Sequence, residues 1–351
     1  MRQSAETGEV TVNATARPMY GVETLITPQP SVLLGIPFDR PIIGYGGTTV
    51  NTLRLWEAGA PHIVDFSEFS SGDFVAVVYH KITAENLTRV LYPDDSIVSG
   101  RTLRFAQEYF LVACSLADIV ARFRRRGNDR QALPDGVAIH LNGTHPAMAV
   151  VELMCLLPDQ GGFGWDQAWE LTTRALAYTN HTFLPEALEK WPVELFEMML
   201  PQQLESVCEI NLRLLDAVRM RFPGGDRRLV RMSLIDETPI KQVRMANLAI
   251  VGGHSTNGLA AIHSELRRTT VVKDFADVFP ERFNNKTNGA TPRRWLLLGN
   301  PDLSKLITEA IGDGWVTDLF PFRHLVPLAD DAAFKAAFCQ AKHTAKLRLP
   351  D

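Results

Sequence analysis

The sequence predicts an α/β fold in which many helices surround a parallel sheet. Two short apolar runs, residues 137–141 and 248–251, are bounded by turn residues or polar loops, as is typical of buried strands. Each run opens into a polar loop, residues 142–145 and 252–258, and a helical pattern follows each loop. That order favours a parallel sheet, which binds ligands at the C-terminal ends of its strands. Both loops are therefore candidate sites.

The chain begins with a segment that we expect to be irregular or strand-rich. Residues 1–33 are mostly polar, and the valines within residues 10–12 and the apolar run 32–34 suggest strands. Residues 35–47 are rich in turn formers and lead into residues 48–56, where the pattern predicts a helix. A glycine-rich loop before a helix can bind phosphate, but the spacing matches neither the Walker nor the dinucleotide pattern, which favours a structural loop.

Helical periodicity accounts for most of the remaining chain. It predicts helices at residues 102–123, 146–156, 166–178, 185–200, 203–222, 259–268, 302–311 and 330–347. Between the third and fourth of these helices lies the polar break Thr-Asn-His-Thr, residues 179–182. A polar break between helices presents side chains to a ligand, so His181 is a candidate site residue. The alternative is that His181 only caps a helix or satisfies a carbonyl group.

Charge and hydropathy exclude two classes of partner. The 351 residues carry a formal net charge of −4, so nothing attracts the chain to nucleic acid or to acidic membranes. The one basic run, residues 122–126, ends a helical pattern and is interpreted as a solvated helix end. No apolar run is long enough to span a bilayer. We expect no nucleic-acid partner and no membrane partner.

The cysteines indicate a reducing compartment. They are Cys114, Cys155, Cys208 and Cys339. Their wide spacing, without a CxxC or Cys/His cluster, predicts buried free thiols and no structural zinc site. The sequence also has no signal peptide, so we expect a cytoplasmic protein.

Six sequence motifs carry a resemblance to a known family. They are TVNTLRLW at residues 49–56, AENLTRVLYP at 84–93, LNGTHPAMA at 141–149, YTNHT at 178–182, NGLAAIHSE at 257–265 and NNKTNGATPRRWLL at 284–297. In this order they resemble the α-glucan phosphorylases, the glycogen, starch and maltodextrin enzymes. The resemblance runs from about residue 34 to the C-terminus.

The resemblance implies a domain organisation and an activity. Residues 34–288 would be most of a Rossmann-like N-terminal glucan-binding domain, and residues 289–351 the start of a C-terminal domain, in a two-domain GT-B type glycosyltransferase; residues 1–33 match poorly. The implied reaction is phosphorolysis of terminal α-1,4 bonds by phosphate, which releases glucose 1-phosphate with retained configuration. The implied partners are an α-1,4-glucan, phosphate and a second copy in a homodimer, contacted through residues 71–81.

The resemblance also implies roles for four residues. His181 would be the catalytic-site histidine whose backbone carbonyl meets the 6-hydroxyl of the glucosyl unit. Asn288 would hold the same hydroxyl, and Leu259 would supply an apolar contact near it. Asp95 would lie in a mobile loop that gates access, which is compatible with the type I turn expected after Pro93.

Two substitutions depart from the family's pattern. Gly143 stands where the family has an aspartate that orients the histidine corresponding to His181, so we expect that imidazole to lack its orienting group. Restoring the carboxylate, Gly143→Asp, is then expected to raise turnover in the full enzyme. Ser96 replaces an asparagine that is common in the gating loop.

The cofactor half of the site has no counterpart in this sequence. The family binds pyridoxal 5'-phosphate on a lysine in a Gly-Thr-Gly-Asn-Met-Lys-like segment, whereas Lys286 lies in the polar segment 284–289, a predicted hinge. The cations that hold the substrate phosphate, and the upstream Gly-Gly-Leu-Gly loop, are likewise missing. We therefore expect an internal phosphorylase fragment that is inactive alone. The alternatives are a non-catalytic glucan-binding or subunit-association module, and the product of a truncated gene.

Overall fold

The chain divides into two compact units, Met1–Lys286 and Thr287–Asp351. The computed structural model describes residues 2–3, 10–14, 31–60, 70, 72, 74–182, 184 and 188–349. Helices and a parallel sheet dominate the larger unit, which confirms the predicted α/β class. The interpretation of residues 34–288 and 289–351 as domains stays a prediction.

An antiparallel sheet opens the larger unit. Its strands are β1 (Arg2–Gln3), β2 (Val10–Ala14), β3 (Ser31–Ile43) and β4 (Val50–Gly59), in that order. The last two strands pair continuously from Leu34↔Gly59 to Ile43↔Val50. The strands suggested at residues 10–12 and 32–34 are thus confirmed.

The helix predicted at residues 48–56 is wrong, because this segment is strand β4. Gly46 and Gly47 have φ angles of +79° and +74°, and Gly44 N–H donates to the Thr49 carbonyl at 2.8 Å. The glycine-rich stretch is therefore the turn of a hairpin, where positive φ favours glycine. The β-branched residues that follow it suit a strand better than a helix.

The parallel sheet lies in the middle of the larger unit. Its strands are β5 (Ile139–Asn142), β6 (Leu176–Asn180), β10 (Ser255–Gly258) and β11 (Phe283–Asn285), arranged β11-β10-β6-β5. All three neighbouring pairs are parallel, so all four C-terminal ends lie at one edge. A second, small antiparallel sheet contains β7 (Lys190–Pro192), β8 (Ile235–Asp236) and β9 (Gln242–Arg244) in the order β7-β9-β8.

Eleven α-helices among the described residues of the larger unit cover these sheets. They are α1 (Phe74–Arg89), α2 (Val98–Arg125), α3 (Leu133–Gly136), α4 (Ala149–Gly161), α5 (Trp165–Ala175), α6 (Val193–Met199), α7 (Pro201–Arg221), α8 (Asp226–Met232), α9 (Met245–Val251), α10 (Ala261–Thr269) and α11 (Lys273–Val278). Helix α2 ends at a basic last turn followed by Gly127 at φ +74°, which confirms the interpretation of the basic run as a helix end.

Two of the predicted boundaries around the parallel sheet are wrong. The strand predicted at residues 248–251 belongs to helix α9, and strand β10 begins four residues later, inside the predicted loop. Helix α9 is buried at six of its seven residues, so its apolar run carries no period that distinguishes helix from strand. The helix predicted to reach residue 178 stops at Ala175, because Leu176 joins strand β6 between two partner strands.

The helix predicted at residues 185–200 is correct only in its second half. Residues 185–187 lie outside the described residues, Lys190–Pro192 is strand β7, and helix α6 covers Val193–Met199. The polar break at residues 179–182 therefore does not join two helices: Thr179 and Asn180 end a strand.

The core lies between helices α2, α4 and α7 and the parallel sheet. The ring of Phe105 meets Trp191 at 5.2 Å and Phe196 at 4.9 Å, both edge to face, and all three rings are buried. Cys114 and Cys155 are buried as expected. Cys208 and Cys339 are exposed, which corrects the expectation for those two thiols. No helix of the described residues is long and apolar enough to cross a membrane.

The smaller unit has its own packed elements. Helices α12 (Pro301–Ile311) and α13 (Ala332–Leu347) flank 3₁₀ turns, and Arg293–Leu298 forms a π-helix. Trp315 is fully buried among them, and its Nε1–H donates to Thr308 Oγ1 at 3.1 Å. Asp331 caps helix α13 by accepting from the Phe334 N–H.

Candidate functional site

The C-terminal edge of the parallel sheet carries mostly amide side chains. Strands β5, β6 and β11 end in Asn142, Asn180 and Asn285, and β10 ends in Gly258. Loops after parallel strands are where α/β proteins bind ligands. Both loops singled out from the sequence begin at or contain these strand ends.

His181 directly follows strand β6, and its ring is oriented by the neighbouring strand. Its Nε2 is hydrogen-bonded to the side-chain oxygen Oδ1 of Asn142, the last residue of β5. An amide oxygen only accepts, so Nε2 carries the proton and the tautomer is set. The imidazole itself is exposed and accessible to a ligand. The expectation that His181 lacks an orienting group is therefore wrong: an amide supplies the contact.

Gly143 leaves room beside this pair. A Cβ placed on it would meet only the His181 Cδ2, at 4.0 Å, so space alone does not require glycine. Its φ of +91° does favour glycine. The Gly143 N–H donates to the Thr179 carbonyl at 3.1 Å and so continues the strand pairing by one residue.

A chain of polar contacts crosses three strands just below the edge. Thr179 Oγ1 donates to Asn257 Oδ1 at 2.8 Å and accepts from the Nε2–H of His140. Burial, together with the nearby His181 and His254, lowers the pKa of His140. His140 is thus a neutral donor at neutral pH.

Arg267 lies buried beneath the same strands, with 3% of its surface exposed. Its guanidinium stacks over the Tyr178 ring at 5.3 Å, and Nη1 donates to the Asn257 carbonyl at 3.3 Å. Burial lowers the pKa of Arg267 to about 10. Among the described residues, no carboxylate pairs with this cation. The Tyr178 hydroxyl in turn accepts from Asn180 Nδ2 at 3.1 Å.

The end of strand β10 is closely packed. A Cβ on Gly258 would lie 2.5 Å from His263 Nδ1 and 2.6 Å from Ser264 Oγ, so only glycine fits. Burial, then the charges of Arg267 and His181, lower the pKa of His263. His263 is therefore held in its neutral form close to the edge.

The structure brings two of the four predicted site residues to this edge. Asn180 pairs with Gly258, so His181 and Leu259 each follow the end of one of two adjacent strands. Asn288 lies exposed in an irregular segment of the smaller unit. Asp95 lies in the loop between helices α1 and α2, and its carboxylate accepts from Arg104 Nη1 at 2.5 Å. The expected turn is formed there, because Asp94 Oδ1 accepts from the Ser96 N–H at 3.0 Å.

Arg104 connects that loop to a second polar cluster. Its Nη2 donates to Glu189 Oε1 at 2.7 Å and lies 3.1 Å from His145 Nε2, and its Nε donates to Glu108 Oε1 at 3.2 Å. Burial and the neighbouring Glu189 carboxylate raise the pKa of Glu108. The acids and the imidazole lie close enough for a metal site, but the guanidinium already supplies the cation.

Sequence reasoning missed several of these residues. Asn142 and His145 lie in the loop 142–145, which the predicted sheet topology marked as a candidate site. Their position was therefore predictable, but their contacts were not. Arg104 and Glu108 are spaced i, i+4 on a predicted helix. That spacing is equally typical of an ion pair on an exposed helix surface. Nothing in the pattern around Glu189 indicated a buried carboxylate.

The fold and the site together define a parallel α/β protein with an amide- and imidazole-rich ligand edge. The chain belongs to the carbohydrate phosphorylase family, whose model matches residues 7–351. This confirms the resemblance drawn from the motifs and the GT-B type fold that it implies.

Individual relatives are similar over most of this chain. Glycogen phosphorylase of Synechocystis is 48% identical over 319 residues, covering 91% of this chain and 38% of the relative. The brain form of Rattus norvegicus is 49% identical and the muscle form of Homo sapiens 46%, each covering 91% of this chain and 39% of the relative. The chain spans about two fifths of the length of these relatives.

The residues of this chain do not fit pyridoxal phosphate. Lys286 is exposed, and its Nζ donates at 2.7 Å to Oδ1 of Asn284, two residues earlier in strand β11. It has no glycine-rich segment around it that could bind a phosphate ester through backbone N–H groups. What the described residues do provide is a neutral, hydrogen-bonding surface suited to hydroxyl groups.

Proposed function

We propose that this chain forms the sugar-binding half of an α-glucan phosphorylase. The reaction is phosphorolysis of terminal α-1,4 bonds of a glucan, with release of glucose 1-phosphate in retained configuration. The observation that carries the proposal is the oriented His181 at the sheet edge, in a chain 48% identical to a glycogen phosphorylase. Glucan and phosphate are then its substrates, and the cytoplasm its location.

The edge is suited to a neutral sugar. Hydroxyl groups need donors and acceptors at fixed positions, and amide side chains offer both. In our proposal the backbone carbonyl of His181 accepts from the 6-hydroxyl of the terminal glucosyl unit. The bond to Asn142 holds the residue in place, while Leu259 on the adjacent strand contacts the apolar face of the sugar.

The low pKa values of the neighbouring imidazoles support this role. For His140 and His263, burial lowers the pKa of both rings, and the charge of Arg267 lowers the pKa of His263 further, so the neutral forms are favoured. A neutral imidazole can orient a hydroxyl without attracting an anion to the sugar side. The fixed dipoles also need no reorganisation when the bond to the sugar weakens, which is the requirement for stabilising a transition state electrostatically.

We further propose that full activity needs groups outside this chain. The substrate phosphate requires cations, and pyridoxal phosphate, the family's cofactor, supplies a second phosphate group when bound. None of the described residues is placed here to hold either group. They bind and orient the glucosyl unit, and in our proposal Asp95 and its loop control access to it. The role of Asn288 as a sugar contact is proposed from the resemblance alone.

Calorimetry with maltoheptaose tests the sugar-binding proposal. We expect the purified chain to bind maltoheptaose, and His181→Pro, which alters the backbone at the proposed contact, to abolish binding. His343→Ala, which changes an exposed histidine of helix α13, is the matched control. Absence of heat with the folded wild-type chain would contradict the proposal.

A second candidate is a non-catalytic module that binds glucan or associates with other subunits. It is favoured by one observation: His181 is held at the sheet edge by Asn142, while the sequence contains no segment like the family's cofactor lysine segment. The segment at residues 71–81 would contribute to a homodimer. Glucose 1-phosphate formation from glucan and phosphate, measured with the cofactor-binding remainder of a phosphorylase supplied, separates the candidates, because the module binds maltoheptaose without turning it over even then. A monomer by light scattering would remove the subunit-association form of this candidate.

A further inference from the structure

We propose that Arg104 is a positioning residue that couples the loop at residues 92–96 to the segment that orients His181. The inference rests on the proposed function, because it concerns how the sugar edge is held. Arg104 lies on helix α2, and its guanidinium contacts Asp95, His145 and Glu189 rather than His181 or Asn142. Its effect is transmitted through the two loops that it joins.

The guanidinium joins helix α2 to three other segments, those that contain Asp95, Glu189 and His145. It donates to Asp95 from Nη1, to Glu189 from Nη2 and to Glu108 from Nε, at 2.5, 2.7 and 3.2 Å. The Nη2 atom also lies 3.1 Å from His145 Nε2. Only a planar fork with several N–H groups can satisfy all of these acceptors at once, and a lysine ammonium cannot.

At one end of this connection, the loop at residues 92–96 has a strained backbone. Tyr92 has a φ of +57°, a region that costs non-glycine residues free energy unless their surroundings hold them there. The loop backbone also sits directly on helix α2, because a Cβ on Gly100 would come within 1.8 Å of the Asp94 carbonyl. The Tyr92 ring leans towards His145, with centroids 6.3 Å apart. Such a loop needs a contact from outside to hold it, and the bond from Arg104 to the loop residue Asp95 provides that contact.

The other end of the connection is equally constrained. Glu189 has a φ of +45° and is 8% exposed, and its backbone carbonyl accepts from the Met245 N–H at 3.1 Å. His145 begins the short 3₁₀ turn three residues after Asn142. A shift of His145 is therefore transmitted over three residues to the side chain that sets the tautomer of His181.

The charges explain why one arginine can serve both ends. Glu189 is largely buried, and removing Arg104 would leave its carboxylate without a counter-charge. Asp95 is half exposed, so its bond is the one that can be released at low cost. One guanidinium thus joins a fixed contact, with the buried Glu189, to a releasable contact, with the half-exposed Asp95.

Hydrogen–deuterium exchange on the intact chain tests the coupling. The decisive variant is Asp95→Asn, which removes the charge at the releasable end without touching the buried carboxylates. We expect exchange to rise about tenfold at residues 90–97 and also at residues 142–147. Asp94→Asn is the matched control, because it removes a charge from the same loop, can still accept from the Ser96 N–H and leaves Arg104 unaltered. We expect it to leave residues 142–147 at the wild-type rate.

Arg104→Lys provides a second, independent variant with the charge preserved. We expect it to raise exchange in both segments and to weaken maltoheptaose binding, while Arg101→Lys, at an exposed position on the same helix, changes neither. Wild-type exchange at residues 142–147 in both Asp95→Asn and Arg104→Lys would overturn the coupling. If the wild-type chain binds no maltoheptaose, the proposed function fails, and the exchange data still decide the role of Arg104.

Discussion

The Nε2–H of His181 donates to the side-chain oxygen of Asn142, and the two residues lie at the ends of adjacent parallel strands. This bond supplies the orienting contact that we expected to be missing, because Gly143 stands where the family has an aspartate. The imidazole therefore keeps a defined tautomer although residue 143 is a glycine.

Removing the Asn142 amide should weaken glucan binding. Asn142→Ala is expected to lower the affinity for maltoheptaose about tenfold, equivalent to roughly 1.4 kcal/mol, because the His181 ring loses its hydrogen-bond partner. Asn142→Asp keeps an acceptor at the same place and should retain most of the affinity. Nitrogen chemical shifts of the His181 ring would report the tautomer in each variant. Equal affinity in wild type and Asn142→Ala would rule out this role.

Introducing a carboxylate at residue 143 should not improve the site. The orienting contact is already made by Asn142, and φ at Gly143 is +91°. Gly143→Asp is expected to lower the free energy of unfolding by about 1 kcal/mol with no gain in maltoheptaose affinity. Gly143→Ala is the control, since it has the same backbone cost without the carboxylate. A tighter complex in Gly143→Asp alone would restore the earlier expectation.

Glu152 should make the stability fall as pH rises. Burial raises its pKa to about 7 from the ordinary 4.5 of a glutamate, although it accepts from Gln203 Nε2 at 2.8 Å. The folded state thus binds this proton more tightly than the unfolded state does. Its stabilising effect is present below about pH 4.5 and is lost as the pH rises to about 7.

The variant Glu152→Gln should abolish this dependence. We expect it to match wild type near pH 5 and to exceed it at pH 8 by up to about 3 kcal/mol, since one pKa unit corresponds to about 1.4 kcal/mol. Urea unfolding at both pH values measures the difference. Glu197→Gln, at an exposed position on helix α6, should show none. A Glu152→Gln protein that is less stable than wild type at pH 8 would contradict the argument.

Arg267 should cost stability in its charged form. Arg267→Met removes a buried cation that has no carboxylate partner among the described residues, and is expected to raise the free energy of unfolding by about 1–2 kcal/mol. The pKa of His263, which Arg267 helps to lower, should rise at the same time. Arg268→Met, at the exposed neighbouring position, is the control for urea unfolding and NMR titration. Lower stability together with an unchanged His263 titration would show that the cation is compensated.

The sequence predicted the helices better than the strands. Helix α2 has a long amphipathic period and a basic C-terminus, so its pattern and its end were both readable. Helix α9 is buried on nearly all sides and lacks such a period, and strand β4 belongs to a hairpin whose stability comes from its partner strand. The position of His181 followed from motifs, whereas its bond to Asn142 depends on pairing between strands 39 residues apart.

The order of the parallel sheet also has a consequence for how its ligand edge forms. Thr179 and Asn257, bonded across strands β6 and β10, are separated by 78 residues of chain, so their pairing requires a large loop to close. Contacts of this range form slowly, and a slip of one residue in a strand reverses which side chains face each other. The side chains of the edge are therefore brought together in the same late folding event that sets strand register. A chain that folds with the wrong register would lose the ligand edge while it keeps its helices.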